Sequence, residues 1–235
     1  MNGNAVLEAL QLLIELDREL AAITANSISF ALASTVLAAL IGIPTGVLLA
    51  FREFPGKRLI VSAAHTLMGI PTVVVGLLVF SLLSRSGPLG VLGLMYTPGA
   101  VIIGQTVLAL PILVSLVYSG LSRLDPELPE TLTTLGATPR QRTLKILLEG
   151  RIAVASAILT GFGRVVGEVG TAMMLGGNIR WYTRTIPTAI ALETQKGAFA
   201  MSLALGVVLL IVAFGVNFGL NYLIRFRPGT ERRAA

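Results

Sequence analysis

Apolar runs recur along this chain at near-regular intervals, separated by short polar segments. Five of them, over 26–51, 59–83, 98–120, 152–176 and 199–224, are long enough to cross a bilayer, because a helix rising about 1.5 Å per residue needs about 20 apolar residues for the hydrocarbon core. No period-two alternation of the kind that marks membrane β-strands runs through them. The spanning backbone must therefore satisfy its own hydrogen bonds as helix. The pattern predicts an all-α, polytopic membrane protein: a segment 1–25 outside the membrane, a transmembrane domain 26–224 interrupted by a polar loop at 121–151, and a basic tail at 225–235.

The first 20 residues predict a short amphipathic helix with Val6, Leu10, Leu13, Ile14 and Leu20 near one face, suited either to the membrane interface or to a partner. Glu8, Glu15, Asp17 and Glu19 stand where a secretory leader would need positive charge, so a cleaved leader is not expected.

Composition strengthens the membrane reading. Of 235 residues 54% are hydrophobic and only 13% charged, and the mean hydropathy is +0.83, well above that of a soluble domain. Of the 18 basic residues, twelve lie in 52–58, 121–151 and the tail after the last span, while five (Arg18, Arg85, Arg180, Arg184 and Lys196) lie on the opposite side. Cytoplasmic loops retain Lys and Arg. The expected orientation in the cytoplasmic (inner) membrane is thus N-terminus outside and C-terminus inside. Topology also accounts for the formal charge of +6, and no nucleic-acid partner is expected, since that would call for a clustered basic face. The chain has no cysteine, so disulfides and thiolate metal sites do not enter.

Three spans carry an internal proline, Pro44, Pro71 and Pro111, each of which removes a donor and predicts a bend. Gly42 with Gly46, and Gly163 with Gly167, are G-x-x-x-G pairs that permit close helix approach.

The polar loop 121–151 is patterned. Asp125 before Pro126 predicts a helix start, Leu132 and Leu135 face one way, and Gly136 stands where a left-handed terminating residue belongs. Thr138, with Pro139 next and Gln141 three residues on, predicts a capping box opening a second helix. The expectation is a helix–glycine–helix lever on the cytoplasmic face.

Its spacing resembles that of the cytoplasmic loop of ABC importer permeases: Glu130, then Gly136 after an interval of five residues, then Ile146 and Leu148, with Thr131, Leu132 and Glu149 replacing the two alanines and the proline of that motif. Beyond residue 160, "GRVVGEVGTAMMLGGNI" and "TRTIPTAIALETQKG" resemble the permeases of oxyanion ABC importers, those for tungstate most closely; molybdate permeases are similar in the G-E-x-G core and diverge over 183–197. The resemblance implies a type I ABC importer permease fold and a homodimer of this subunit. It also implies cytoplasmic ABC ATPase subunits and an extracytoplasmic oxyanion-binding protein. Tungstate would be the cargo, with molybdate or another oxyanion such as sulfate as the alternative. It assigns Glu130, Gly136, Ala137, Arg140, Ile146 and Leu148 to ATPase coupling. No phosphate-cradling G-x-x-x-x-G-K-[ST] occurs, so the chain is expected to bind no cofactor, with ATP and Mg held by the partner ATPase.

Two other classes compete. An intramembrane enzyme would have to use His65 and Ser62, one turn apart, but no orienting acid or nucleophile elbow accompanies them and no metal-ligand spacing is present. A passive channel fits the hydropathy but has no use for the cytoplasmic lever.

One pair is costly for a span. Arg164 and Glu168 stand four apart inside 152–176, where a lipid-exposed charge costs about 2.5–3.5 kcal/mol on the lenient insertion scale. They either fix helix packing or, with Gly167 and Thr171, belong to a gate or anion path. Outside, the loop 177–198 places Trp181 and Tyr182 at the interface and carries Arg180, Arg184 and Lys196, which are either solvated charge or a docking surface for the binding protein.

Overall fold

The computed structural model describes residues 4–15 and 17–225, and the described residues form an all-α fold. The basic tail beyond residue 225 lies outside the described residues. In chain order the helices are α1 (Asn4–Ile14), α2 (Arg18–Phe51), α3 (Lys57–Leu67), α4 (Thr72–Leu83), α5 (Pro98–Leu121), α6 (Leu128–Thr134), α7 (Pro139–Glu149), α8 (Arg151–Val166), α9 (Gly170–Gly176), α10 (Ile186–Gln195) and α11 (Phe199–Arg225).

Among the described residues three helices, α2, α5 and α11, are long and apolar enough to cross a membrane unbroken, and they correspond to the first, third and fifth predicted spans. α2 starts earlier than the pattern suggests. Asp17 accepts hydrogen bonds from the N–H groups of Glu19 and Leu20, so residues 18–25 belong to the spanning helix rather than to the amphipathic segment. Pro44 and Pro111 sit inside continuous helices.

The second and fourth spans are broken. Pro71 supplies no N–H and crowds the preceding turn; α3 ends at Leu67, and α4 departs from it at 107°. Within 152–176, α8 stops at Val166 and α9 restarts at Gly170. Hydropathy averages over both interruptions, which is why each appears in the sequence as one span.

α2, α5 and α8 pack together, and Gly42 and Gly46 permit this: a Cβ on Gly42 would lie 2.9 Å from Leu113 Cβ, and one on Gly46 would lie 2.6 Å from Val117 Cγ1. The other glycine pair does not serve the same purpose, since Gly167 has no atom within 4 Å of such a Cβ and Gly163 only Val216 at 3.4 Å. The main core joins α2, α4, α5, α8 and α9 through residues including Ala38, Val79, Leu113, Val165 and Leu175. α1 packs Ala9, Leu12 and Leu13 against α10 and α11, leaving Val6, Leu10 and Ile14 of the predicted face exposed. Along α11, Val207, Leu210, Ile211, Phe214 and Phe218 also point outward, a surface suited to hydrocarbon rather than water.

Candidate translocation and coupling sites

The lever is a pair of short helices. α6 begins at Leu128, later than Asp125–Pro126 suggests; Asp125 instead accepts from the Glu127 N–H in the turn before it. Gly136 closes α6 at φ +79°. Its N–H donates to Thr133 O at 3.0 Å and the Ala137 N–H to Leu132 O at 3.0 Å, satisfying carbonyls that the helix end leaves open. Thr138 and Gln141 then form the capping box of α7, with the Thr138 N–H donating to Gln141 Oε1 at 2.8 Å and the Gln141 N–H to Thr138 Oγ1 at 3.4 Å.

The lever has an anchored side and an open side. Ile146 is buried with Val117 and Leu121 of α5 and Ala157 of α8, and Leu128 and Leu132 pack on the same cluster. Leu135 is 77% exposed, so it does not share the face of Leu132 as its spacing suggests. Leu144 and Leu148 are also exposed, and Arg140 lines a shallow groove with Pro139, Thr143, Leu144 and Leu147. Glu130 is exposed on α6. An apolar surface rimmed by charge on a rigid hairpin fits a protein partner, and Ile146 connects that surface to two membrane helices.

The second constellation surrounds the broken fourth span. Arg164 Nη1 donates to Glu168 Oε2 at 2.8 Å, with Glu168 buried and Arg164 about two-fifths exposed. The two are not on one continuous helix: Gly167 and Glu168 lie beyond the end of α8. Glu168 also accepts from the Thr171 N–H at 3.2 Å, so one carboxylate joins the arginine at the end of α8 to the start of α9. Thr171 is fully buried and its hydroxyl has no hydrogen-bond partner among the described residues. The two breaks adjoin: a Cβ on Gly170 would lie 3.1 Å from Thr72 Oγ1 and 3.3 Å from Glu168 Oε1, and Gly76 of α4 packs on Thr171 and Met174 of α9. Gly167 is exposed beside the pair.

In the loop 177–198 the basic residues are already engaged. Arg180 makes two bonds to Glu19, at 2.9 and 2.6 Å, and Arg184 a third at 2.9 Å. Arg184 lies 3.7 Å from Glu193, which also holds Lys196 at 2.9 Å. The Glu19 hydrogen bond, followed by its charge, holds the Arg180 guanidinium above its ordinary range. Arg184 is buried and ties the loop to α2, together with Asn26 donating to the carbonyls of Tyr182 and Arg184 and Ser27 accepting from the Ile186 N–H. Arg180, Trp181, Tyr182 and Lys196 remain accessible. Nothing local in the sequence points to Glu19, which lies 161 residues from Arg180.

Residues 42–226 match the family described as the binding-protein-dependent transport system inner membrane component. The chain is 41% identical over 203 residues to a probable anion ABC transporter permease protein of Haloferax volcanii, covering 84% of this chain and 88% of that one. It is 38% identical over 209 residues to a tungstate uptake system permease protein of Peptoclostridium acidaminophilum, covering 89% and 92%. A chain of the inward-facing methionine ABC transporter superposes with a TM-score of 0.68 at 21% identity, over 96% of this chain and 98% of that one. With an all-α bundle, broken spans and an exposed helix pair already in view, these likenesses decide the assignment: the chain belongs to the binding-protein-dependent transport system inner membrane components, the permease subunits of ABC importers.

Proposed function

We propose that this chain is the transmembrane subunit of an ATP-driven tungstate importer, acting as a homodimer in the cytoplasmic membrane with its N-terminus outside and C-terminus inside. Separate ABC ATPase subunits, which hold ATP and Mg, grip α6 and α7, and an extracytoplasmic oxyanion-binding protein delivers the anion. The observation that carries the reading is the lever: its outer side presents Leu135, Leu144 and Leu148 while Ile146 is seated against α5 and α8. Motion imposed on the hairpin therefore reaches the membrane helices directly. The tungstate assignment draws on the relative from Peptoclostridium acidaminophilum.

At the broken span, Glu168 holds Arg164 when the pathway is closed and disfavours a resident anion. Opening frees the guanidinium to offer positive charge, with Gly167 giving the backbone room and Thr171 coupling the carboxylate to α9. Outside, Arg180 and Lys196 meet the binding protein, while Arg184 stiffens the loop that carries them. The test of the cargo is calorimetry on the partner binding protein with tungstate, molybdate and sulfate. Tightest binding of tungstate supports the reading; preference for molybdate or sulfate replaces the cargo and leaves the transport mechanism standing.

A further inference from the structure

Gln105 is 2% exposed in the middle of α5, a helix otherwise built of apolar and small residues. A primary amide there brings two donors and an acceptor into a region without water, and such residues in membrane helices persist where they bond across helices. Gln105 does so in two directions. Its Nε2 donates to the carbonyl of Val165 at 3.3 Å, and its Oε1 accepts from Ser34 Oγ of α2 at 3.3 Å. Thr106, next along α5, donates to Ser34 O at 3.4 Å.

The Val165 carbonyl is where the α8 ladder fails. It faces the backbone N–H of Gly167 and accepts from that of Glu168 at 3.1 Å, in the tight turn that ends the helix at Val166. Continued as α-helix, the same carbonyl would receive the N–H of Val169. The amide of Gln105 therefore bonds the last turn before the break, three residues ahead of Glu168, and links it to α5, which packs on α2, α8 and α9.

We infer that Gln105 is a positioning residue for the gate: its bond to Val165 O holds α8 in its broken form and thereby sets the distance between Arg164 and Glu168. Motion of α5 against α8 reaches the ion pair through this bond. The inference rests on the reading of Arg164 and Glu168 as a gate.

Gln105→Met, close in volume and without polar atoms, is the test, made on the complete transporter in proteoliposomes with tungstate uptake and ATP hydrolysis both recorded. The maximal uptake rate should fall about tenfold, the scale of one buried hydrogen bond, with the half-saturating binding-protein concentration unchanged and ATP hydrolysis continuing. The decisive readout is the double variant with Arg164→Met. If Gln105 acts through the pair, the double variant loses no more uptake than the worse single variant; multiplied losses overturn the inference while leaving the gate reading intact. An Arg164→Met transporter that imports normally overturns the gate reading itself, and this inference with it. Gln105→Asn, which keeps the amide but retracts it by one methylene, should behave as Gln105→Met does. Wild-type uptake by either Gln105 variant, or failure of both to assemble, also overturns the inference, the last by making Gln105 a folding residue.

Discussion

Gly136→Val isolates the lever from everything else in the protein. The glycine has φ +79°, and a Cβ built on it would meet no atom within 4 Å, so the added β-carbon itself meets nothing across space. The cost expected is local backbone strain, about 1–2 kcal/mol for an L-residue in the left-handed region, with a β-branched residue at the upper end. Since about 1.4 kcal/mol is tenfold in an equilibrium, the closed turn becomes roughly ten times less favoured against alternatives in which Gly136 and Ala137 no longer donate to Thr133 and Leu132. α6 has only seven residues, held otherwise by the packing of Leu128 and Leu132 and a long bond from Arg142 to Thr133. Asn tolerates the left-handed region better than other non-glycine residues, so Gly136→Asn is the control. Assembly with the ATPase, ATP hydrolysis and uptake are measured at matched expression. Gly136→Val should either shed the ATPase or hydrolyse ATP with uptake reduced about tenfold, and Gly136→Asn should stay within about threefold of wild type. Normal ATP-dependent uptake by the valine variant would refute the lever.

Arg164→Met strands the buried Glu168 beside a single backbone N–H; with the arginine partly exposed the cost is about 1–3 kcal/mol, and uptake should fall in an assembled complex. If this variant fails to fold while Arg164→Glu with Glu168→Arg folds and imports normally, packing rather than gating explains the pair. Arg184→Met leaves Glu19 and Glu193 without their shared buried partner and should lower thermal stability by about 2–4 kcal/mol, whereas Lys196→Met, at an exposed pair, should change it by less than about 0.5 kcal/mol; equal effects in a melting assay would contradict the clasp. Gly46→Ala places a methyl 2.6 Å from Val117 Cγ1 and 2.7 Å from Val117 Cβ and should destabilise by about 1–3 kcal/mol; a melting temperature equal to that of wild type would mean that α2 and α5 do not meet there. A reporter inserted near Pro88 should be active outside the cell and one fused after Arg227 in the cytoplasm, and the reverse pattern would invert the orientation.

The parts of this fold legible in the sequence are those carried by local pattern. Hydropathy locates α2, α5 and α11 because each carries a long apolar run, and the chemistry of Gly136 and of Thr138 with Gln141 places the turn between α6 and α7 to the residue. Bends are harder. Val, Gly and Leu read alike on either side of Pro71 or Gly167, so a broken span and a straight one share a hydropathy profile. Four-residue spacing brings Arg164 to Glu168, but not the helix end between them. Contacts that join distant segments left no local trace: Glu19 with Arg180 and Arg184, and Gln105 with Val165. Leu135 shares its periodicity with Leu132 yet faces away, because α6 ends before another turn can carry the stripe onward.

The central claim is that ATP hydrolysis, transmitted through α6 and α7, drives tungstate across the membrane. Its most direct test is tungstate accumulation in proteoliposomes containing this chain and its ATPase, with ATP and Mg enclosed and the loaded binding protein outside. Accumulation above the external free concentration that requires both ATP and the binding protein is the predicted result. Tungstate that merely equilibrates across the membrane, at the same rate with and without ATP, would contradict it and make the chain a passive pore.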